Sequence, residues 1–533
     1  MPVESIREVS SFGWAAGSRT AAAEEILPQP VQELLVRLHR ALEGERRELL
    51  AARRRRQQRW DGGALPGFVD DLPAARGEWQ IAPLPDDLLQ RRVEITGPIH
   101  DPKMVINMLS RQADGARADA AMLDFEDSMK PCWANVVQGV QNLDRAVAGT
   151  LSHERPATAE RPAKVYRLEP ADRPLIMVRC RGLHLDEDHV AVDGEAVCAG
   201  LFDLALAVFW TARELLEQGR TPKYYVPKVE HHREAAWWHR LFGLLEESLG
   251  LAAGCLRVTF LIETLPAAFQ VEEILWQLRD RAAGLNVGRW DKIFSDIKVL
   301  KEHPDRVLAD RAAVTMESPW MKAYADYLVH VCHRHGAFAM GGMAAFTPGR
   351  TAEERERQTA KVMADKGAEA AQGHDGCWVS HPYFIAPALT AFPRRHQLDV
   401  MPELSAPPDL LPRGGGPRTV TGLRTNLRVG IAYLEGWLRD VGCVAWDGLM
   451  EDLATLEISR AQVWQQLRHR VVLDDGSEVT ADLVSRLFDD ELRRIEGELG
   501  APAPSFGQAR DVARRLFLEE RFRPFLTAGP DLA

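Results

Sequence analysis

The chain has 533 residues and a formal net charge of −11. That length accommodates one large catalytic domain with accessory domains, and the acidic balance argues against nucleic acid as the main partner. Seven cysteines, at positions 132, 180, 198, 255, 332, 377 and 443, are scattered with no Cys-x-x-Cys, which argues for reduced thiols rather than a disulfide framework or zinc site.

No uncharged apolar run approaches the ~20 residues that span a bilayer. The first thirty residues carry Glu4, Glu8, Glu24 and Glu25 and lack a signal-peptide core, and the terminal Asp-Leu-Ala is not the peroxisomal address. A cytoplasmic, globular protein without a membrane partner is expected; oligomeric state is left open.

Little regular structure is expected before about residue 26. From Val31 to Trp60 the pattern is helical, with Pro28 and Pro30 at its start. The run Arg53 to Arg56 reads as a solvated helix end, because cations near a helix C-terminus are favoured by the dipole. Gly62, Gly63, Pro66 and Gly67 then break the helix.

Between Arg91 and Pro382 eight strand-like runs occur: RRVEITGP from 91, AAMLDFED from 120, LIMVRCRG from 175, KYYVPKVE from 223, RVTFLIET from 257, AGLNVGRWD from 283, GAFAMGGM from 336 and GCWVSHP from 376. Most are separated by helix-like segments, so the fold class is α/β, a (β/α)₈ TIM barrel with insertions. The competing topology, a doubly wound open sheet, usually brings a Gly-rich phosphate turn after its first strand, and ITGPIHDPKM lacks one. Residues 401–418 are a Pro/Gly-rich linker. Residues 419–533 read almost entirely helical, and a helical domain in that position can cover a barrel mouth.

Two buried runs each stop on a carboxylate, Glu263 and Asp291, on adjacent strands. Strand ends in a parallel barrel face one mouth, and two carboxylates there suit a hard cation such as Mg²⁺. The plainer alternative is that Glu263 caps a helix and Asp291 pairs with an arginine. Arg179 and Arg181 alternate at strand spacing and share a face if the run stays extended. Such an arginine polarises a carbonyl or closes a salt bridge. Lys228 is either a substrate cation or a structural pair, and Asp124, Glu126 and Asp127 are three acids at one strand end. The histidines at 330, 333 and 335 read as an ordinary helix end, and Gly341-Gly342 is a weak phosphate signal. Glu451 and Asp452 precede a helix: one of them caps it, or a carboxylate is delivered into the mouth as a general base.

RRVEITGPIHDPKMVINML, MLDFEDSMKPCWANVVQG, LIMVRCRGLHL, YYVPKVE, LIETLPAAFQVEEIL, GLNVGRWDKIFSDIK, AFAMGGMAAFTP, GHDGCWVSHP and LMEDLATLEISRAQVWQ occur in this order from about residue 91 to 470. On these stretches the chain resembles the malate synthase family, closer to its shorter isoform A type. The resemblance implies an N-terminal α-helical clasp (1–90), a barrel (91–400) and a C-terminal α-helical plug (419–533). It implies an acyltransferase of the glyoxylate bypass that condenses acetyl-CoA with glyoxylate, using Mg²⁺, and hydrolyses malyl-CoA to malate and CoA. Glu263 and Asp291 would hold Mg²⁺, Arg179 would be the catalytic arginine and Asp452 the catalytic aspartate. Glyoxylate would also meet the backbone of Gly288, Arg289 and Trp290, and Ser128 is the candidate CoA contact. The alternative, a malyl-CoA or citryl-CoA lyase of the related barrels, typically lacks the long C-terminal domain with its Met-Glu-Asp. Lys292 and Asp296 stand where the family commonly has aromatics, Leu453 and Leu456 where alanines are usual, and Cys377 for a common threonine. None replaces an expected catalytic or metal residue.

Overall fold

A computed structural model describes residues 11–158, 161–404 and 407–528. Eight parallel strands pair in chain order and close on themselves: β1 (Val93–Pro98), β2 (Ala120–Asp124), β3 (Leu175–Arg179), β4 (Lys223–Val226), β5 (Arg257–Ile262), β6 (Ala282–Val287), β7 (Phe338–Ala344) and β8 (Gly376–Val379). All eight runs expected from the sequence become strands. Nearly every strand residue is buried, which is why the apolar runs do not alternate with polar ones. Register aligns the strand ends: Pro98 opposes Asp124, Asp124 opposes Arg179, and Ile262 opposes Val287.

Helices clad the barrel. The elements that position the site are α1 (Gln29–Asp61), α2 (Trp133–Val147), α3 (Ala199–Glu217), α4 (His232–Leu249) and α5 (Arg289–Val299). Helix α1 lies against α3 and α4, with the Trp237 indole donating to the Leu42 carbonyl at 3.0 Å. The barrel interior is polar at mid-height. Glu94 accepts from the Arg91 guanidinium (2.7 Å), the Tyr225 hydroxyl (2.5 Å) and the Trp378 indole (3.0 Å), so each of these buried groups is satisfied.

Two expectations are corrected. Between residues 11 and 26 the chain forms regular structure: Phe12–Trp14 pairs antiparallel with Asp186–Val192, and Ala21–Ile26 is a helix capped by Thr20. Residues 1–10 lie outside the described residues. Arg53 is not solvated but buried, bonded to Glu234 and to the Lys228 carbonyl, whereas Arg54 and Arg55 are exposed as expected. Helical phase explains this: Arg53 and Arg56, three positions apart, lie on the barrel face of α1, where Arg56 is half-buried 3.6 Å from Glu234.

Beyond residue 419 the chain builds α6 (Val420–Leu438), α7 (Leu453–Arg468), α8 (Ala481–Leu499) and α9 (Pro504–Phe517). They have a core of their own around Leu427, Ile431, Leu456, Phe488 and Phe517. The sequence reading of this segment as helical misses a small hairpin, Val444–Trp446 with Leu449–Glu451, which leads directly into α7. Helix α7 is buried on all sides, and Ile458, Ala461 and Trp464 pack on Ile293, Phe294 and Ile297 of α5. Among the described residues no helix is long and apolar enough to cross a membrane, and all seven cysteines are unpaired.

Candidate active site

Glu263 directly follows β5, and Asp291 lies in the first turn of α5, which follows β6. Gly288 caps that helix; a Cβ there would meet the Glu263 Cβ at 2.7 Å, so glycine is what lets α5 begin against Glu263. Oε1 of Glu263 accepts the Lys228 backbone N–H at 2.8 Å, while its buried Oε2 has no hydrogen-bond partner. The Lys228 ammonium stands among carboxylates: 2.7 Å from Glu126 and from Asp127, 2.9 Å from Asp291 Oδ1 and 3.8 Å from Glu263. Asp291 therefore pairs with a buried lysine rather than a surface arginine, and Lys228 is an ion-pair partner of these acids.

Arg179, the last residue of β3, grips Asp124, the last of β2, with Nε at 2.7 Å and Nη2 at 2.6 Å. Its Nη1 lies 3.2 Å from Glu126, and its guanidinium covers the Trp378 ring at 5.7 Å. Asp124 also accepts the Ser128 hydroxyl (2.6 Å) and the N–H groups of Glu126 and Ser128 (2.9 and 3.0 Å). Burial pushes the Asp124 carboxyl up, but Arg179 and these donors outweigh it and hold it below the usual range. Arg181 is placed elsewhere. The strand stops at Arg179, and Arg181 pairs with Asp203 on α3 (2.7 Å) and with Glu187 (2.8 Å).

Asp452 is the helix cap of α7, its side chain accepting the Thr455 N–H at 3.3 Å, and it is also carried to the barrel mouth, where it is buried. The Leu453 N–H donates to the Asp127 carbonyl at 3.3 Å, fastening the plug to the barrel at this point. Burial, then the neighbouring Asp127 and Asp291, push the Asp452 carboxyl well above its ordinary value, with Arg179 and Lys228 opposing. Glu451 turns away to Arg311 at 2.7 Å.

Six buried carboxylates, Asp124, Glu126, Asp127, Glu263, Asp291 and Asp452, thus share two buried cations, Arg179 and Lys228. The surplus shows in their titration. Burial raises Glu263 to about 8, with Asp291 and Asp127 adding to the rise, and burial with Asp127 pushes Glu126 well up. A site rich in carboxylate oxygens, with the Glu263 Oε2 unpartnered, fits a hard divalent cation of the Mg²⁺ type.

Arg289 and Trp290 open α5, where backbone N–H groups have no intrahelical carbonyl, while the Gly288 N–H already donates to the Tyr324 hydroxyl at 3.1 Å. The Ser128 hydroxyl donates to Asp124, and Ser128 does not line the open cleft beside the mouth. Gly341 and Gly342 admit not a phosphate but the buried Glu369 carboxylate, which accepts the Gly342 N–H at 2.9 Å. The three histidines do end a helix, His333 on Asp375 and His335 stacked on Trp79. Sequence reasoning missed this cleft of about 1390 Å³, walled by β1, by the segments that follow β1, β7 and β8 and by the hairpin before α7, with Lys103, Arg350, Arg357 and Met450 among its residues. The position of Lys103 just after β1 was the available signal.

This fold and site define a TIM-barrel enzyme whose acidic, divalent-cation-type mouth is completed by a carboxylate from a separate helical domain. Family models described as malate synthase N-terminal domain, malate synthase TIM barrel domain and malate synthase C-terminal match residues 17–71, 175–406 and 417–530. The chain belongs to the malate synthase family, a family of acyltransferases, as the sequence motifs implied. It is 45% identical to malate synthase A of Escherichia coli over 500 residues, covering 92% of each chain. It is 44% identical to the malate synthase of Myxococcus xanthus over 516 residues, covering 94% of this chain and 93% of that one. A solved Haloferax volcanii malate synthase magnesium/glyoxylate complex aligns with a TM-score of 0.42 and 14% identity, over 79% of this chain and 98% of that one.

Proposed function

We propose a division of roles for the condensation of acetyl-CoA with glyoxylate and the hydrolysis of malyl-CoA that malate synthases carry out. Asp452 takes the proton from the acetyl methyl group. Its raised affinity for a proton makes it a stronger base than a solvated aspartate, and its dry position orients the methyl carbon. Arg179, held flat by Asp124 against Trp378, faces the oxyanion that develops on the thioester carbonyl. The N–H groups of Arg289 and Trp290 meet the glyoxylate carboxylate. Glu263 and Asp291 hold Mg²⁺, which when bound supplies Lewis-acid polarisation of the aldehyde. Lys228 offsets the charge of the surrounding acids, and a water completes the reaction by cleaving the malyl thioester.

Acetyl-CoA is assigned to the open cleft, with Lys103, Arg350 and Arg357 available to its phosphates and Met450 leading toward Asp452. Ser128 is reassigned from the coenzyme to the support of Asp124. Residues 1–90 act as clasp, 91–400 as barrel, 401–418 as linker and 419–533 as plug, and the unpaired cysteines support a reducing, cytoplasmic setting. The lyase alternative is not favoured, since the match to malate synthases includes the C-terminal domain.

The observation that carries this reading is Asp452 buried among the barrel's own acids and Arg179 at the N-terminus of α7. The test is release of free thiol from acetyl-CoA by the purified protein. Release that requires both glyoxylate and Mg²⁺, with malate as product, supports it; glyoxylate formed from malyl-CoA without synthesis would move the chain to the lyase class.

A further inference from the structure

Lys228 holds the left-handed backbone conformation, with φ of +57°. Among the described residues four other non-glycines share the positive φ, namely Asp193, Asp440, Asp447 and Arg470, and all four are exposed. Lys228 alone is buried, and lysine, unlike asparagine or aspartate, has no side chain that favours this region. A strained residue of this kind persists where its surroundings fix it.

Both polar groups of its backbone are fixed. Its N–H is held by Glu263 at 2.8 Å, from inside the mouth. Its carbonyl is held by Arg53 Nη2 at 2.8 Å, from the N-terminal helix α1, 175 positions away. Arg53 is itself gripped by Glu234 in the first turn of α4, through Nε at 2.8 Å and Nη2 at 2.6 Å. Glu234 also accepts the Glu230 N–H at 2.8 Å, and Glu230 accepts Lys298 at 2.6 Å. Lys298 belongs to α5, the helix that carries Asp291 in its first turn. One buried network therefore runs from the clasp to the loop after β4 and on to the helix bearing a carboxylate of the cation site.

We propose that Arg53 is a positioning residue of the active site: by holding the Lys228 carbonyl, it keeps Lys228 in its left-handed turn with the ammonium among Glu126, Asp127 and Asp291. The inference rests on the site assigned above. It makes α1 a working part of the mouth, and it separates Arg53 from its neighbours Arg54 and Arg55, which touch none of this network.

The test uses the full-length protein. Arg53→Lys keeps the charge but loses the fork; Arg53→Gln keeps an amide donor and is the second variant should the lysine form fail to fold. Arg54→Gln is the control. Three readouts are taken: melting temperature, kcat and KM by thiol release, and affinity for Mn²⁺ by electron paramagnetic resonance without substrates. For Arg53→Lys the expected result is a kcat lowered about tenfold or more, a KM for acetyl-CoA within about twofold of the parent, and Mn²⁺ affinity weakened several-fold. In a Lys228→Gly background, where glycine needs no clamp, Arg53→Lys adds no further loss of Mn²⁺ affinity. A folded Arg53 variant with parental kcat and Mn²⁺ affinity overturns the proposal, as does a loss that is fully additive with Lys228→Gly. If the parent releases no thiol, the reaction assigned above fails, while the Mn²⁺ cycle still decides the role of Arg53.

Discussion

Arg179 and Asp124 are the terminal residues of adjacent strands, paired in register, and their side chains lock together through two hydrogen bonds of 2.7 and 2.6 Å. The guanidinium thus has its plane set by the barrel before any substrate arrives. Asp124→Asn keeps the volume and breaks the charge-assisted fork. We expect kcat to fall by about one to two orders of magnitude, with KM for glyoxylate changed far less, because a misplaced oxyanion partner is felt mainly in the transition state. Steady-state kinetics on the purified variant decide this, and an unchanged kcat would remove Arg179 from its assigned role.

Asp452 performs two tasks that substitution separates. Asparagine caps a helix about as well as aspartate, so Asp452→Asn leaves the melting temperature close to the parent value. Its amide accepts no proton, and condensation falls by at least about 10²–10⁴-fold, the usual worth of a general base. Glyoxylate and metal binding, followed by calorimetry, remain. Loss of both binding and stability would show the residue to be structural alone.

The acid cluster sets a pH dependence whose sign follows from Glu263. Its carboxyl is raised in the metal-free fold to about 8, against an ordinary value of 4.5. The folded state therefore binds more protons than the unfolded chain, so this group's contribution is fully present below about 4.5 and is lost as pH rises through about 8. A divalent cation competes with those protons. Mg²⁺ is expected to raise the melting temperature of metal-stripped protein more at pH 8 than at pH 6, and thermal melts in chelator and in Mg²⁺ measure it. Equal shifts at both pH values would argue that Glu263 is not a ligand.

Lys292 and Asp296 form a fully buried ion pair one turn apart on α5. Burial raises the Asp296 carboxyl to about 6 even with Lys292 beside it, and its Oδ2 is unpartnered. Asp296→Ala strands an ammonium and is expected to cost about 3–5 kcal/mol, whereas an apolar replacement of both residues at similar volume is close to neutral or stabilising. Denaturant unfolding of the two variants distinguishes these outcomes.

The barrel was legible because each strand is buried on both faces and so leaves an unbroken apolar run; the end of VTFLIE announced Glu263 directly, whereas Asp291, read as a strand end, lies beyond the strand in the first turn of α5. Asp452 was legible only as a choice between cap and base, since local sequence reports the helix start but not what the start faces. Arg53 and Arg56 were misread because a run of four arginines carries no mark of which ones the helix turns inward. Lys228 was legible only as a choice between substrate cation and structural pair, since its backbone conformation is held by Glu263 and Arg53, residues far from it in the chain. The clasp's first strand was missed for the same reason: Phe12–Trp14 takes its partner from residues 190–192.

The plug has a hydrophobic core separate from that of the barrel, and Asp452 sits where the two bodies meet. On the roles proposed above, the base belongs to one body and Arg179, Glu263 and Asp291 to the other, so neither body alone holds a complete site: as with a two-key lock, a reactive carbanion equivalent can form only where barrel and helical domain touch.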